Sequence, residues 1–161
     1  KLAVVQNIRV NKSIVSPGEI VNVSVMLSCL EGKYMKKNID IEIPADVLPG
    51  SRILITACSS RYSEFLSSVR SPGKFKPVNF EQLVDLIENM ELNNELIIRV
   101  LLPGTGVSYK GEQFETLPPS ILSIMTLPNY SGTELLANEK IYRLKTDSIL
   151  EGKESILLSV R

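Results

Sequence analysis

Residues 16–57 read SPGEIVNVSVMLSCLEGKYMKKNIDIEIPADVLPGSRILITA, and their apolar residues recur at every second position. A period of two places alternate side chains on opposite faces of a sheet. Three strands are predicted, whose inward residues are Val21, Val23, Val25, Leu27 and Cys29, then Ile39, Ile41 and Ile43, then Ile53, Ile55 and Ala57. Glycine and proline between these runs favour turns. The stretch therefore predicts an antiparallel, half-buried β-meander.

A helix is predicted from Asn79 to Glu91, with Asn79 and Gln82 spaced as a capping box. Its apolar side chains recur at helical spacing and form one stripe, made of Phe80, Leu83, Val84, Ile87 and Met90. We expect this stripe to pack against the sheet. Truncating Phe80 or Ile87 to Ala would then destabilise the fold by about 2–5 kcal/mol.

The rest of the chain alternates strand-like and turn-like segments. Leu2–Val10 is predicted as a strand with Val4, Ile8 and Val10 on one face, and Leu96–Leu102 as a strand covered on both faces, by the helix and by the meander. The remaining predicted elements are a turn at 11–18, a turn at 103–106, a hairpin of 107–109 with 113–115, a short helix at 120–125, and strands at 133–145 and 155–160.

Together these elements predict a mainly β (α+β) fold. We interpret it as an immunoglobulin-like antiparallel β-sandwich with one long and one short helix in its second half. Residues 1–60 would form one half of the sandwich, 61–78 a connector, and 79–161 a helix-plus-strands half packed with the first as one domain.

Composition excludes several classes of function. The 161 residues carry 18 Lys and Arg against 18 Asp and Glu, and this zero net charge argues against a nucleic-acid partner. The chain has no His, which removes Ser–His–acid triads and His-based zinc sites. Its apolar runs are shorter than the ~20 residues of a spanning helix, so no membrane insertion by this segment is expected. Because the chain opens on Lys1, we expect a piece of a longer protein.

Candidate reactive groups also have ordinary interpretations. Ser59, Ser60, Ser67 and Ser68 lie near Lys74 and Lys76 in sequence, but no Ser-x-x-Lys opens a helix, so a Ser/Lys hydrolase is the weaker hypothesis. Gly104-Thr105-Gly106 lacks the third glycine of a dinucleotide loop and indicates a turn. We predict no enzyme, no catalytic residue, no cofactor and no metal site.

The two cysteines are predicted to lie on opposite faces, Cys29 inward and Cys58 outward unless a bulge intervenes. A buried thiol and a half-exposed thiol are then favoured over a disulfide, which stays an alternative.

Four tyrosines are candidate partner-contact residues: Tyr34, Tyr62, Tyr109 and Tyr130. Together with Tyr142 they fall near turns, connectors or outward strand positions, where a tyrosine offers contact area with a polar tip. The alternative is that they are scattered tyrosines at the edge of the core.

Three groups of motifs resemble one family. They are Ser16-Pro17-Gly18-Glu19 with Ile43-Pro44 and Pro49-Gly50, the helix 80–90 with Asn94–Val100, and the most specific, Leu117-Pro118-Pro119-Ser120-Ile121-Leu122-Ser123-Ile124-Met125. This order resembles the region after the peptidase-like domain in bacterial exported proteins related to the SpoIVB-type sporulation serine peptidases. The family's catalytic His and Ser belong to that other domain, so the resemblance implies a non-catalytic C-terminal module.

The sequence thus predicts a non-catalytic interaction or assembly module of a larger bacterial exported or cell-envelope protein, with a protein partner that would contact an edge strand or the tyrosine-bearing loops. The first alternative is a carbohydrate- or peptidoglycan-binding β-sandwich, which the absence of Trp and 6% aromatic content disfavour. The second alternative is the Ser/Lys hydrolase.

Overall fold

The computed structural model describes the backbone of residues 1–30, 32–70, 73–109, 112–114 and 133–161, and the side chains of 1–30, 32–70, 73–103 and 138–161. The chain is mainly β, with two helices in this part. The elements in chain order are β1 (Leu2–Val10), β2 (Ile14–Val15), β3 (Ile20–Cys29), β4 (Tyr34–Glu42), β5 (Arg52–Ser59), α1 (Ser60–Arg70), α2 (Phe80–Glu88), β6 (Glu95–Tyr109), β7 (Glu112–Phe114), β8 (Thr133–Lys145), β9 (Ile149–Glu151) and β10 (Lys153–Val160).

The strands form two sheets, both of them mixed. The first has the order β4-β3-β1-β9, and the second has the order β2-β10-β5-β6-β7 with β8 also paired to β6. Most pairs are antiparallel, as predicted, but β9 runs parallel to β1 and β2 runs parallel to β10. The prediction of antiparallel pairing throughout is therefore wrong. Side-chain alternation could not reveal this, because it is the same for both strand directions.

The chain divides into two compact units. Unit 1 comprises Lys1–Ser63, Leu92–Pro103 and Glu139–Arg161, and unit 2 comprises Glu64–Glu91 and Gly104–Asn138. Unit 1 contains the first sheet and the hydrophobic core, whereas unit 2 contains α2 and the pairing of β7 with the end of β6.

The core of unit 1 lies where the period-two pattern predicts it. Side chains from both sheets form one buried cluster. Its predicted members are Val21, Val23, Val25 and Leu27 of β3, Ile41 and Ile43 at the end of β4, and Ile53, Ile55 and Ala57 of β5, with Ile39 and Cys29 partly buried against them. The inward faces of these three strands are confirmed, and β3 pairs antiparallel with β4 as predicted. The three-strand meander is wrong, because β5 lies in the second sheet between β10 and β6 rather than beside β4.

A β-bulge corrects the predicted inward face of β1. The register with β3 shifts between Val5 and Asn7, so that Ala3, Val5 and Ile8 face the core while Val4 is 40% exposed. A bulge inserts one residue and so reverses the alternation on either side of it. A single period of two along Leu2–Val10 therefore assigned Val4 to the wrong face.

The second half of β5 is buried on both faces. Cys58, predicted to point outward, is buried, and Cys29 is only half-buried. Both cysteines are thiols rather than a disulfide. Just beyond β5, residues predicted as a connector form the 11-residue helix α1, and its Ser63 contacts Arg99, which lies on the same face of the second sheet as Cys58. Three serines of α1, spaced at i, i+3 and i+7, are buried: Ser60, Ser63 and Ser67.

The predicted burial of the apolar stripe on the long helix is wrong. Helix α2 forms where expected, and the Asn79 side chain accepts a hydrogen bond from the Gln82 backbone N–H at 2.8 Å. None of its residues is buried, however, and Phe80 and Ile87 are 78% and 60% exposed. Within unit 1 it is Ser63 of α1 that contacts the outer face of β6, through Arg99. Amphipathic spacing revealed the helix but not what would cover it.

The predicted strand 96–102 is confirmed as buried on both faces, but the predicted turn at 103–106 is wrong, because β6 continues through it to Tyr109. Glycine accepts extended dihedrals as readily as turn dihedrals. Pairing with β5 before this segment and with β7 after it keeps the backbone extended. The predicted hairpin is confirmed by the pairs Val107–Phe114 to Tyr109–Glu112.

Other assignments near the two ends of the chain have mixed outcomes. The strand 133–145 is confirmed as β8, and the strand predicted to begin at Ser155 begins at Lys153 as β10. The predicted turn at 11–18 contains the two-residue strand β2, which pairs with β10. The predicted helix at 120–125 lies outside the described residues.

Strand β4 is the outermost strand of the first sheet, and it points a charged side chain toward the core side. Lys37 shares its parity with Ile39 and Ile41, and is half-buried. Its ammonium donates a hydrogen bond to the Lys145 backbone carbonyl at 3.3 Å. An inward lysine on an edge strand is a feature that opposes pairing with further strands.

We expect Gly152→Ala to destabilise unit 1 by about 1–3 kcal/mol. Gly152 has a φ of +86°, and a Cβ there would lie 3.2 Å from Val4 Cγ1 and 3.3 Å from the Val5 carbonyl oxygen. The chain passes from the first sheet to the second at this residue, so the backbone cannot shift without disturbing both β9 and β10. Urea-induced unfolding measures the loss.

The matched control is Gly50→Ala. Gly50 has nearly the same φ, +85°, but no atom lies within 4 Å of its added Cβ. Gly50→Ala should lower the free energy of unfolding only through backbone strain, and by less than Gly152→Ala does. Equal losses for the two variants would contradict the crowding at Gly152.

Candidate functional site

A groove lined by both polar and apolar atoms lies on the outward face of the first sheet. The register places Asn7, Met26 and Lys36 side by side in one row across β1, β3 and β4. The next row contains Arg9, Ser24 and Asn38. The groove has a volume of about 430 Å³, a size within the range of ligand pockets.

The bulge in β1 shapes this groove. Gln6 is the residue between Val5 and Asn7 that has no partner in the register with β3, and it lines the groove. Because of the bulge, Asn7 and Arg9 also point outward and line the same groove. Bulges commonly redirect side chains near binding sites. Sequence alternation missed these residues, and a signal could have been the run of polar residues Gln6-Asn7 inside an apolar strand.

One side of the groove is fixed by hydrogen bonds between strands. Asn22 Nδ2 donates to Asp40 Oδ1 at 2.7 Å, and Ser24 Oγ donates to Asn38 Oδ1 at 2.5 Å. The Asn22 backbone N–H donates to Asn11 Oδ1 at 3.1 Å. These bonds hold the polar rows of β3 and β4 in place.

Four other groove side chains make no hydrogen bond or ion pair with any described residue. They are Gln6, Asn7, Arg9 and Lys36, and all four are exposed. The lining therefore contains two cations, no anion, and two amides with unused donors and acceptors. The exposed apolar side chain in the groove is that of Met26, whereas Val25 is buried in the core and Val10 packs against it.

The four candidate tyrosines are not gathered at one described site. Tyr34 is 66% exposed and lies on the groove side of β4, two residues from Lys36. Tyr62 is half-buried on α1, where its hydroxyl accepts a hydrogen bond from Lys153 Nζ, which also lies 4.4 Å from the ring centroid. The Tyr109 side chain and the whole of Tyr130 lie outside the described residues.

Tyr142, which we grouped with the outward tyrosines, instead packs against the core cluster of unit 1. Partial burial raises the pKa of its phenol, and the negative charge of Glu42 raises it further. The neutral phenol is thus the form that the folded state favours.

A buried ion pair lies on the outer face of β6. The Arg99 guanidinium, 3% exposed, donates from Nε and Nη2 to the two carboxylate oxygens of Glu139 on β8, at 2.5 and 2.8 Å. Its Nη1 donates to the Ser63 backbone carbonyl and, at 3.0 Å, to Ser63 Oγ. This geometry suits bidentate binding of a carboxylate, and here the carboxylate belongs to the protein itself. The arrangement ties β6, β8 and the start of α1 together.

Three of the serines considered for a Ser–Lys pair form hydrogen bonds with groups other than lysine. Ser59 Oγ accepts from the Tyr62 backbone N–H, Ser60 Oγ donates to Asn93 Oδ1, and Ser68 Oγ donates to the Phe65 carbonyl. Among the residues with described side chains, no three or more Cys, Asp or Glu residues group closely enough to hold a metal ion.

No protein-family model, curated protein or solved structure matches this chain. In the described part of the chain, neither helix is long and apolar enough to cross a membrane.

Proposed function

We propose that the chain is a non-catalytic interaction and assembly module of a larger bacterial exported or cell-envelope protein. The motifs that resemble the non-peptidase region of SpoIVB-related proteins support this proposal, as does the lack of His in the sequence. The partner would be another protein.

The observation that carries the proposal is the exposed apolar stripe of α2. Phe80 and Ile87 are 78% and 60% exposed, and Leu83 between them is 39% exposed. Met90, two residues beyond the end of α2, is 58% exposed as well. Single exposed apolar residues are ordinary, but a row at i, i+3 and i+7 on one helix face is the pattern of a helix that lies in a hydrophobic groove. We infer that a protein partner covers this stripe.

The charge around the stripe defines the chemistry of the partner. Glu81, Asp85, Glu88 and Glu91 are the ionisable residues of the helical region, and no Lys or Arg occurs between Lys76 and Arg99. Complementary charge across an interface favours the correct partner and speeds association. The proposed partner surface is thus an apolar groove with Lys or Arg at its rim.

We also propose that the two sheets form an immunoglobulin-like sandwich. The antiparallel series β4-β3-β1 and the single core cluster shared by both sheets support it. The parallel pairs formed by β9 and β2 are a departure from the purely antiparallel pattern of such domains.

The partner proposal predicts a site-specific crosslink in cells. A photoreactive amino acid at Ile87 of the full-length protein should give one protein adduct of defined mass on irradiation. The same group at Asp85, an exposed position on the acidic side of α2, should give little adduct. Phe80→Asp should abolish the Ile87 adduct, because a carboxylate would replace part of the apolar contact.

Folding and charge controls accompany this experiment. Phe80 is largely exposed, so Phe80→Asp should leave thermal unfolding close to that of the parent protein. Rising salt should weaken the adduct because it screens the acidic rim. An absent Ile87 adduct, or adducts of equal yield at Ile87 and Asp85, would contradict the proposal.

The second candidate function, carbohydrate or peptidoglycan binding, is favoured by one observation. The outward face of the first sheet presents exposed amides and cations in a groove rather than a flat surface. Such groups match ligands that are rich in hydroxyl and carboxylate oxygens.

A further inference from the structure

We infer that the groove on the first sheet is a binding site for a carboxylate-bearing oligosaccharide. This site shares no residue with the α2 surface, because the groove is made by residues of unit 1 and α2 belongs to unit 2. Four kinds of observation define the ligand: the charge of the lining, its hydrogen-bonding groups, its floor, and the strands beneath it.

The positive charge of the groove lining favours an anionic ligand. Arg9 and Lys36 lie on the same face in neighbouring rows, and neither has an ion-pair partner among the described residues. The nearest acidic side chain on this face of β4, Asp40, is bonded to Asn22. A guanidinium fork binds a carboxylate with two parallel hydrogen bonds, and an ammonium adds a point charge.

The hydrogen-bonding groups of the groove favour a ligand that carries many oxygen atoms. Gln6 and Asn7 each offer an amide that can donate and accept, and neither is bonded within the described chain. Vicinal hydroxyl groups on a sugar ring both donate and accept, so they match such amides. Met26, 36% exposed, supplies an apolar patch for a ring face, and Tyr34 lies farther along β4 on the same side.

The strands beneath the groove favour a saccharide over a peptide. Peptides that bind sheets usually add a strand at an exposed edge, where backbone groups are unpaired. The groove instead lies over β1 and β3, which are interior strands with partners on both sides. A ligand here is recognised by side chains alone.

The test uses tetragalacturonic acid as the anionic probe, measured by isothermal titration with the full chain. Cellotetraose is the neutral probe, and a tetra-aspartate peptide provides the same number of carboxylates without sugar hydroxyls. Tetragalacturonic acid should bind, and the other two should bind at least tenfold more weakly. Equal binding of the peptide and the acidic sugar, or no binding of the sugar, would overturn the inference.

Paired variants locate the site. Arg9→Ala with Lys36→Ala should weaken binding of the acidic sugar by tenfold or more, because each loses a charge-assisted hydrogen bond. Arg52→Ala with Lys140→Ala removes the same charge at exposed positions away from the groove and should leave binding within twofold. An equal loss in both double variants would mean attraction by net charge alone and would overturn the site.

Salt separates the two kinds of contact. The loss caused by Arg9→Ala should shrink as salt rises, because ion pairing is screened. Tyr34→Ala should weaken binding by a similar factor at every salt concentration, since ring contacts are not screened. Both side chains are exposed, so circular dichroism should show an unchanged fold in each variant. A loss at Arg9 that salt leaves unchanged would contradict the proposed ion pair.

Discussion

Replacing Arg99 by Met is expected to lower the free energy of unfolding by about 3–5 kcal/mol. The substitution removes the guanidinium that forms two hydrogen bonds with the partly buried carboxylate of Glu139. It also frees the Ser63 carbonyl from its hydrogen bond. Equilibrium unfolding in urea, followed by far-UV circular dichroism, measures this loss.

The double variant Arg99→Met with Glu139→Met tests the cause. Apolar residues of similar length replace the ion pair without leaving a charge, and such exchanges are often close to neutral. The double variant should therefore recover most of the stability lost by Arg99→Met. Recovery of less than about 1 kcal/mol, or a loss below about 0.5 kcal/mol for Arg99→Met itself, would contradict the role assigned to the pair.

Ile55→Ala is expected to lower the free energy of unfolding by about 2–5 kcal/mol. Ile55 is fully buried in the core of unit 1, where its strand lies between β10 and β6, with Ile156 and Val100 as its register partners. The shorter side chain removes apolar contacts and leaves a cavity, because neighbours on three strands cannot collapse fully. The same urea measurement gives the value.

Ile87→Ala is the matched control, since it makes the same chemical change on the 60% exposed stripe of α2. Its loss should stay within about 0.5 kcal/mol. Such a result would show that Ile87 contributes little to the stability of the fold, in contrast to Ile55. A loss of about 2 kcal/mol or more in the free energy of unfolding for Ile87→Ala would instead support the buried apolar stripe that the sequence predicted.

The sequence predicted the elements whose evidence is local. Strands β3, β4 and β5 followed from alternation because a half-buried strand must alternate, whatever the rest of the chain does. The cap and the apolar stripe of α2 were visible for the same reason. The hairpin of β6 and β7 was predicted from the residues on either side of its turn. The glycines at 104 and 106 led to a predicted turn that is absent, because strand pairing keeps β6 extended there.

The features that escaped prediction depend on contacts between distant residues. The bulge at Gln6 is set by pairing with β3, and it decides which residues of β1 reach the groove. The burial of Cys58 and Ser63 requires knowing that α1 follows β5 immediately and that Arg99 binds its first turn. Arg99 itself was visible as the single charge in an apolar strand, but its partner Glu139 lies 40 residues away.

Among the candidate contact residues, Tyr34 was predicted from the sequence to be exposed. That it lies on the same sheet face as Arg9 was not predicted. Those two residues share a face only because β1 and β4 both pair with β3. Tyr142 was assigned outward because its strand has polar residues on both parities, which hides the face that packs against the core.

The half-buried Lys37 affects how copies of this chain associate at high concentration. A strand from another copy that extended the first sheet past β4 would have to trap an ammonium group between two layers, at a high desolvation cost. Fibril-like stacking through this border is thereby disfavoured. Copies of this chain held at high local concentration should therefore remain separate along this edge of the sheet.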